Sequence, residues 1–309
     1  MNRFSDRYSF SVPERKRIRL IIDTDAKNEA DDQYAVVHAL LTPKFDVRGI
    51  IGAHFGEEKS KTSMEDSCRE VEHLLRLMGI GGAVPVWRGA PRAMQNERDP
   101  VPSQGSAGII REALSGDKRP LFCIFLGPIT DMASALLEEP RIAGKVTAVW
   151  IGGGPWPRGG GEYNLHNDIP AANAVLASDA ALWQVPRDVY SMVKVSLAEL
   201  QAKVKPCGAV GQYLFDQLTA VNDQYADNPE WPAGESWVLG DSPAVGLLLD
   251  EHGFCYRERI APRIGEAMRY VHPRRGRKIR VYERIETRFL LEDFFCKLAI
   301  CCGGAENTK

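Results

Sequence analysis

The sequence predicts an α/β fold whose central sheet is mostly parallel and flanked by helices. Apolar runs of strand length alternate with helical patterns through the first half of the chain, and four or five such strand-to-helix units are present. This alternation is typical of parallel strands that are joined by crossover helices. With 309 residues, of which 44% are hydrophobic, the chain can also bury the large core that such a fold needs.

The first half supplies most of the predicted sheet. We predict strands at 18–22, 45–55, 84–87, 121–126 and 146–151, and helices at 31–41, 64–78 and 129–137. Pro43 and Gly79 follow the first two helices, and these residue types commonly end a helix. The last of these strands leads into a glycine loop at 152–154.

The second half is less regular, and we expect its helices to form a cap beside the sheet, near the functional site. We predict helices at 171–177, 197–204, 210–221, 243–251 and 287–300, and strands at 254–260 and 278–285. Residues 222–236 contain Asn228, Pro229, Pro232 and Gly234, which predicts a loop close to the site. We expect one domain over 1–309, with an N-terminal extension over 1–17.

The net charge indicates which class of partner the protein binds, and the cysteine content indicates its cellular compartment. The formal net charge is −2, from 39 basic and 41 acidic residues, which disfavours nucleic acid and favours a small-molecule partner. The short basic run at 274–280 indicates a solvated loop. Seven cysteines without metal-ligand spacing favour a reducing compartment. No apolar stretch has the length of a membrane span, so we expect a cytoplasmic protein with no membrane partner.

Four aspartates lie where the first strand ends and the first helix begins: Asp23, Asp25, Asp31 and Asp32. In open α/β sheets, ligands bind at the carboxyl ends of the strands. Because these carboxylates would repel one another, a divalent cation is expected, and oxygen ligands alone favour Ca²⁺ or Mg²⁺. The alternative is that one aspartate caps the helix while the others are solvated.

This segment resembles the start of the inosine/uridine nucleoside hydrolases, where a strand ends in Asp-x-Asp and an Asp-Asp pair begins a helix. Further segments are similar to motifs of that family in the same order: Trp-Arg-Gly-Ala at 87–90, Leu-Gly-Pro-Ile-Thr-Asp at 126–131, Glu-Tyr-Asn at 162–164, Asp-Ile-Pro-Ala-Ala at 168–172 and Gly-Asp-Ser-Pro at 240–243. The resemblance implies a Rossmann-like central sheet with extra C-terminal helices near the site. It also implies a homodimer or homotetramer.

The resemblance further implies roles for individual residues. Ca²⁺ would be bound by the side chains of Asp25, Asp32 and Asp241 and by the backbone carbonyl of Leu126. The ion would hold a water and the ribose diol, and Asp31 would take the proton from that water as general base. Glu162 and Asn164 would bind ribose hydroxyls while the N-glycosidic bond breaks.

The chain also departs from the family. The turn between Asp25 and Asp31 has five residues, 26–30, where the family has a shorter turn that begins Pro-Gly, and it adds Asn28 and Glu29 near the site. Many members carry a His before the late metal-binding Asp to protonate a purine leaving group, but Leu239 and Gly240 precede Asp241 here.

Other side chains could contact the base instead. The histidines that could replace the missing acid are His54, His166 and His38, of which the first two lie at loop edges of the proposed pocket. The aromatic residues that could stack on a base are Trp87, Trp156, Tyr163 and Trp237. Of these, we predict that His54 and Trp237 contact the substrate.

Two function classes compete for this pattern. The first is a hydrolase that cleaves the N-glycosidic bond of ribonucleosides or related ribosides with a Ca²⁺-held water. The second is a catalytically silent, calcium-dependent nucleoside- or sugar-binding protein of the same fold. A metal-dependent phosphohydrolase would need a downstream Ser/Thr and Lys in its own order, and the sequence has no convincing set. The sequence does not define the base.

Overall fold

A computed structural model describes residues 4–229, 231 and 234–303. The strands, in chain order, are β1 Ile18–Thr24, β2 Phe45–Gly52, β3 Val86–Arg88, β4 Leu121–Phe125, β5 Thr147–Ile151, β6 Ala181–Val185, β7 Lys194–Ser196, β8 Ser236–Val238, β9 Cys255–Ile260, β10 Arg263–Ile264, β11 Tyr270–Val271 and β12 Lys278–Arg284. The α-helices are α1 Asp32–Leu41, α2 Ser63–Leu77, α3 Gln104–Ala113, α4 Thr130–Glu138, α5 Tyr163–Asn167, α6 Ile169–Ala177, α7 Arg187–Tyr190, α8 Leu197–Lys203, α9 Gly208–Gln224, α10 Ser242–Leu249 and α11 Thr287–Cys302.

Eight strands form the central sheet, in the order β3-β2-β1-β4-β5-β6-β12-β9. Every neighbouring pair is parallel except β12 and β9, which are antiparallel. The predicted mostly parallel sheet, flanked by helices on both faces, is therefore confirmed. Two small antiparallel pairs, β7 with β8 and β10 with β11, lie outside it.

Strand β1 runs through the middle of the core. All seven of its residues are buried, and because a parallel strand is covered on both faces, Leu20, Ile21 and Ile22 follow one another without a polar residue between them. Leu20 and Ile22 pack into one hydrophobic cluster and Ile21 into the other, on opposite faces of the sheet.

The chain reverses direction across the sheet between β1 and β4. Strands β2 and β3 are added on one side of β1, whereas β4, β5 and β6 are added on the other. Such a reversal leaves a crevice at the carboxyl ends of the two central strands. Asp25 follows β1 and Leu126 follows β4, so the topology brings them to the same edge.

Eight of the strands and α-helices in the described part of the chain are absent from our sequence prediction: β6, β7, β8, β10, β11, α3, α5 and α7. Helix α3 contains Gly105 and Gly108, which are weak helix formers. Both are required by packing, because a Cβ at Gly105 would lie 2.7 Å from an oxygen of Asp131 and one at Gly108 would lie 2.5 Å from the Trp87 ring. A capping box at Ser103 and Ser106 begins the helix.

The predicted loop at 222–236 is too long at both ends. Helix α9 continues to Gln224, and β8 begins at Ser236. Of the residues that suggested this loop, Pro232 lies outside the described part of the chain. Within the described part, no helix combines the length and apolar character needed to cross a membrane.

Candidate active site

Four aspartates from three separate places in the sequence meet at the carboxyl edge of the sheet, and we call them the carboxylate cluster: Asp25, Asp31, Asp32 and Asp241. Asp31 and Asp241 are the N-cap residues of α1 and α10, and Asp32 is the first residue of α1. Carboxylate oxygens of Asp31, Asp32 and Asp241 lie within 4.8 Å of one another. None of the four is more than 9% exposed.

The hydrogen bonds around the cluster leave acceptor capacity for a cation. The Thr24 hydroxyl donates to Oδ1 of Asp32, and the Asp241 amide donates to Oδ2 of Asp31 at 3.3 Å. Oδ2 of Asp25 is buried and has no hydrogen-bond partner among the described residues. Since a buried carboxylate without a partner is costly, an oxygen-only set with an orphaned acceptor fits a hard divalent cation.

Burial and mutual repulsion raise the pKa values of the cluster. Burial raises the pKa of Asp31 to about 6, although backbone N–H groups of Asp31, Asp241, Gly240 and Asp32 oppose the shift. Burial and the neighbouring Asp31 raise the pKa of Asp32 to about 8. Burial and the nearby carboxylates raise the pKa values of Asp25 and Asp241 well above the ordinary range. A divalent cation would offset this repulsion.

A small inner cavity of about 60 Å³ contains the cluster. Leu126, Asn164 and Glu162 also line it. The side-chain NH₂ of Asn164 donates to the carbonyls of Leu126, at 2.7 Å, and Ile151, at 2.9 Å. The ends of β4 and β5 therefore fix this amide next to the aspartates.

Glu162 is held even more firmly. It caps α5, and its two oxygens accept hydrogen bonds from four donors: the amides of Gly153, Asn164 and Leu165 and the Tyr190 hydroxyl, at 2.8–3.1 Å. Burial raises its pKa, although these donors favour the carboxylate. The side chain is thus locked in one orientation at the cavity wall.

A second cavity, of about 650 Å³, adjoins the first and shares Glu29, Asp31 and Glu162 with it. We call it the aromatic cavity because five rings line it: Tyr163, Tyr190, Tyr225, Trp231 and Trp237. Three of them form a continuous stack, with ring centroids 4.5 Å apart from Tyr225 to Trp231 and 5.3 Å apart from Trp231 to Trp237. Trp237, which we predicted as a substrate contact, lines this cavity but is only 1% exposed.

Of the three histidines that could replace the missing acid, only His166 lines one of the two cavities. His54 does not line either cavity; Nε2 pairs with the Thr130 hydroxyl at 2.9 Å, and Nδ1 accepts from the Gly56 amide at 3.3 Å. Burial lowers its pKa to about 4, so the structure gives it the environment of a neutral packing residue. His38 pairs with Asp293 at 2.7 Å on the far part of α1, whereas His166 lines the aromatic cavity.

Sequence reasoning missed Lys59, Tyr190 and Arg187 as residues of the site. Tyr190 and Arg187 belong to α7, which directly follows β6, so recognising β6 would have placed them at the carboxyl edge. Lys59 lies in the loop after β2, and nothing in its local sequence distinguishes it from Lys61.

The matches to known proteins agree with this geometry. Residues 20–290 match the model of the family described as inosine-uridine preferring nucleoside hydrolase. The chain belongs to this family. It is therefore an N-glycosyl hydrolase, and the cluster is its candidate metal site.

Two curated relatives of this nucleoside hydrolase are identical to it at about a quarter of the aligned positions. It is 25% identical to a probable uridine nucleosidase 1 of Oryza sativa subsp. japonica, over 79% of this chain and 80% of that protein. It is 26% identical to a pyrimidine-specific ribonucleoside hydrolase of Salmonella agona, over 71% and 79%. Its fold is similar to that of a purine-preferring ribonucleoside hydrolase from Gardnerella vaginalis, with a TM-score of 0.77, 20% identity and coverage of 92% and 99%.

Proposed function

We propose that this nucleoside hydrolase cleaves the N-glycosidic bond of ribonucleosides or related ribosides, with Ca²⁺ as its cofactor. The observation that carries the proposal is the convergence of four buried carboxylates at the β1/β4 crevice, where one buried oxygen of Asp25 has no hydrogen-bond partner in the described part of the chain. Relatives named for uridine and for pyrimidine ribonucleosides support ribosides as the substrate class.

We propose that Asp25, Asp32, Asp241 and the Leu126 carbonyl bind the ion. The orphaned oxygen of Asp25 and the closeness of the Asp32 and Asp241 oxygens support this set. Carboxylates combined with a backbone carbonyl suit the loose coordination shell of Ca²⁺. When bound, the ion would supply positive charge that makes a water more acidic and attracts the ribose hydroxyls.

Asp31 acts as the general base. It lies between the two cavities, since it lines both, and this position suits a base that takes a proton from a water next to the sugar. The carboxylate takes a proton from the attacking water as its oxygen bonds to the anomeric carbon and the bond to the base breaks, through an oxocarbenium-like transition state. Backbone N–H groups of Gly240 and Asp241 hold the Asp31 carboxylate in place.

Glu162 and Asn164 position the ribose. Both are fixed by several hydrogen bonds from the ends of β5 and α5, so little ordering is left for substrate binding. Side chains held in this way place the sugar for attack at low entropic cost. Trp237, in the aromatic stack, contributes to the base side of the pocket.

The decisive experiment is a panel of purine and pyrimidine ribosides, assayed for free sugar and free base with and without Ca²⁺. We expect turnover that stops on chelation, and Asp25→Asn and Asp31→Asn should separate the two roles. Asp25→Asn should weaken Ca²⁺ binding in calorimetry, whereas Asp31→Asn should retain binding and lose turnover. Calcium-dependent riboside binding with no sugar released from any substrate would instead identify the silent binding protein.

We further propose that the chain acts as a single cytoplasmic domain over 1–309 and assembles as a homodimer or homotetramer. Strands β12 and β9, from the end of the chain, complete the same sheet that β1 begins, which supports one domain. Sedimentation of the purified protein would test the assembly.

A further inference from the structure

We infer that Lys59 stabilises the negative charge that develops on the aglycone as it leaves. It would take over the task of the acidic His that many family members have before the late Asp, where this chain has Leu239 and Gly240. The inference rests on the proposed function and adds to it the class of aglycone: a flat aromatic ring that departs as an anion. It starts from the walls of the aromatic cavity, which combine stacked rings with a fixed cation.

The Lys59 ammonium group is held in place although its side chain is largely exposed. Nζ donates to Oδ1 of Asn28 at 2.6 Å, and it lies 4.6 Å from the ring centroid of Tyr163 and 5.9 Å from that of Tyr225. Cation–π contacts of this length orient an ammonium group over a ring. Glu29 and the two tyrosines favour its charged form and raise its pKa.

The extended turn at 26–30 connects Lys59 to the reaction centre. Asn28, which accepts from Lys59, lines the inner cavity, and Glu29 lines both cavities. The ammonium group is therefore anchored at the border between the sugar side and the base side. The glycosidic bond would lie at this border, because one cavity contains the carboxylate cluster and the other contains the aromatic stack.

A cation at this border is useful because most of the charged side chains that line the two cavities are acidic. Glu29, Asp31 and Glu162 line both cavities, and a departing base that carries negative charge would be repelled by them. A positioned ammonium group offsets this repulsion most strongly in the transition state, when the charge develops. Arg187 also lines the aromatic cavity, but its guanidinium donates to the Gly161 carbonyl at 3.0 Å, whereas Lys59 donates to Asn28 of the extended turn.

The step balances without a further reactant. The electron pair of the C–N bond leaves with the base, the water oxygen forms the new C–O bond, and one water proton passes to Asp31. Lys59 donates a hydrogen bond to the anionic base and keeps its proton. The base then takes a proton from solvent, and Asp31 releases its own, so riboside and water give sugar and neutral base.

The test compares Lys59→Met with wild type on two kinds of leaving group. Uridine and inosine release bases that are poor anions, whereas 4-nitrophenyl riboside releases a phenolate that needs no assistance. We expect kcat/KM to fall about 100-fold for the nucleosides and only a few-fold for the nitrophenyl riboside, since one aimed donor is worth on the order of 10²–10³. Equal losses on both kinds of substrate, or no loss, would overturn the inference.

Three comparisons sharpen this result. Lys61→Met changes an exposed lysine two positions away that lines neither cavity, and it should leave both activities unchanged. Lys59→Arg should recover most of the nucleoside activity, because it retains the charge. Arg187→Met should not show the leaving-group dependence; if it does while Lys59→Met does not, the assignment to Lys59 is wrong.

A binding measurement keeps the inference separate from the proposed function. 4-Nitrophenolate mimics the departing anion, and calorimetry should show that wild type binds it about tenfold more tightly than Lys59→Met, with Ca²⁺ affinity equal in the two. Equal phenolate binding, or none by wild type, would overturn the role of Lys59. A failure of every riboside to be hydrolysed would overturn the proposed function instead.

Discussion

Removing the metal should make the stability of this protein fall as the pH rises above neutrality. Asp32 is buried beside Asp31, and its pKa is raised from 3.8 to about 8. A carboxyl group whose pKa is higher in the folded state stabilises the fold when it is protonated. That contribution is lost as the pH rises from the unfolded value, near 4, to the folded value, near 8. Bound Ca²⁺ should remove the effect, because it favours the ionised carboxylate.

The window from pH 6.5 to 8 separates the buried carboxyl groups from the buried histidines. The buried His38 and His54 have pKa values lowered from 6.5 to about 4, so both add a slope of the opposite sign, but only below pH 6.5. Above it, Asp32 contributes about 1.4 kcal/mol per pH unit, or roughly 2 kcal/mol over the window. With an unfolding entropy of about 2.1 cal/mol/K per residue, this corresponds to a Tm lower by about 3 °C for a chain of 309 residues.

Calorimetry on metal-free protein and on protein with saturating Ca²⁺, at pH 6.5, 7.2 and 8, measures this difference. The metal-free Tm should fall by about 3 °C or more, since Asp25 and Asp241 shift in the same direction, whereas the Ca²⁺-bound Tm should stay nearly level. Asp32→Asn should make the metal-free curve less steep, with the remaining slope coming from Asp25 and Asp241. A metal-free Tm that is constant or rises over this window, or a slope that Asp32→Asn leaves unchanged, would refute the reasoning.

Three substitutions test other parts of the site. Asp31→Asn should lower kcat by roughly 10²–10⁴ in steady-state assays while Ca²⁺ affinity measured by calorimetry stays within a few-fold, because it removes the general base; a matching loss of Ca²⁺ affinity would make Asp31 a ligand instead. Glu162→Gln should cost about 1–3 kcal/mol in urea unfolding and raise KM, because an NH₂ group would face donors that now pair with a carboxylate. Gly127→Ala should weaken Ca²⁺ binding at least tenfold in calorimetry, because its Cβ would lie 2.8 Å from the Asp25 carboxylate, whereas Gly144→Ala, with open space around it, should not; unchanged affinity in Gly127→Ala would argue against Asp25 as a ligand.

The sequence predicts the sheet well because strand-to-helix alternation is a local pattern, whereas Leu126 and Asp241 were expected at the site only from the family resemblance. Strand β1, which ends just before Asp25, has the apolar centre Leu20–Ile22 and is buried along its whole length, as is the helix that Asp32 begins. Once strands are parallel, their carboxyl ends share an edge, so Leu126 and Asp25 must be neighbours. Strand-to-helix alternation therefore predicts which residues distant in sequence lie at the same edge of the sheet, and a single motif does not.

The walls of the aromatic cavity could not be derived in this way. Tyr225, Trp231 and Trp237 come from the end of α9, the segment after it and β8, and no periodic pattern relates them. For His54, the position after β2 suggested a substrate contact. In the structure its side chain instead pairs with the Thr130 hydroxyl inside the protein. Side-chain direction at a loop edge depends on tertiary contacts.

The extended turn is the main departure from the family, and the structure indicates which part of the site it changes. Its two ends are tied to helices, because the Gln33 side chain donates to the Ala26 carbonyl and that of Gln217 donates to the Ala30 carbonyl at 2.8 Å. These two hydrogen bonds anchor both ends of the turn, and the second lies directly before Asp31. The added length instead reaches the cavity border, where Glu29 lies. We therefore expect this enzyme to differ from its relatives in the aglycone it accepts and to share their treatment of the sugar.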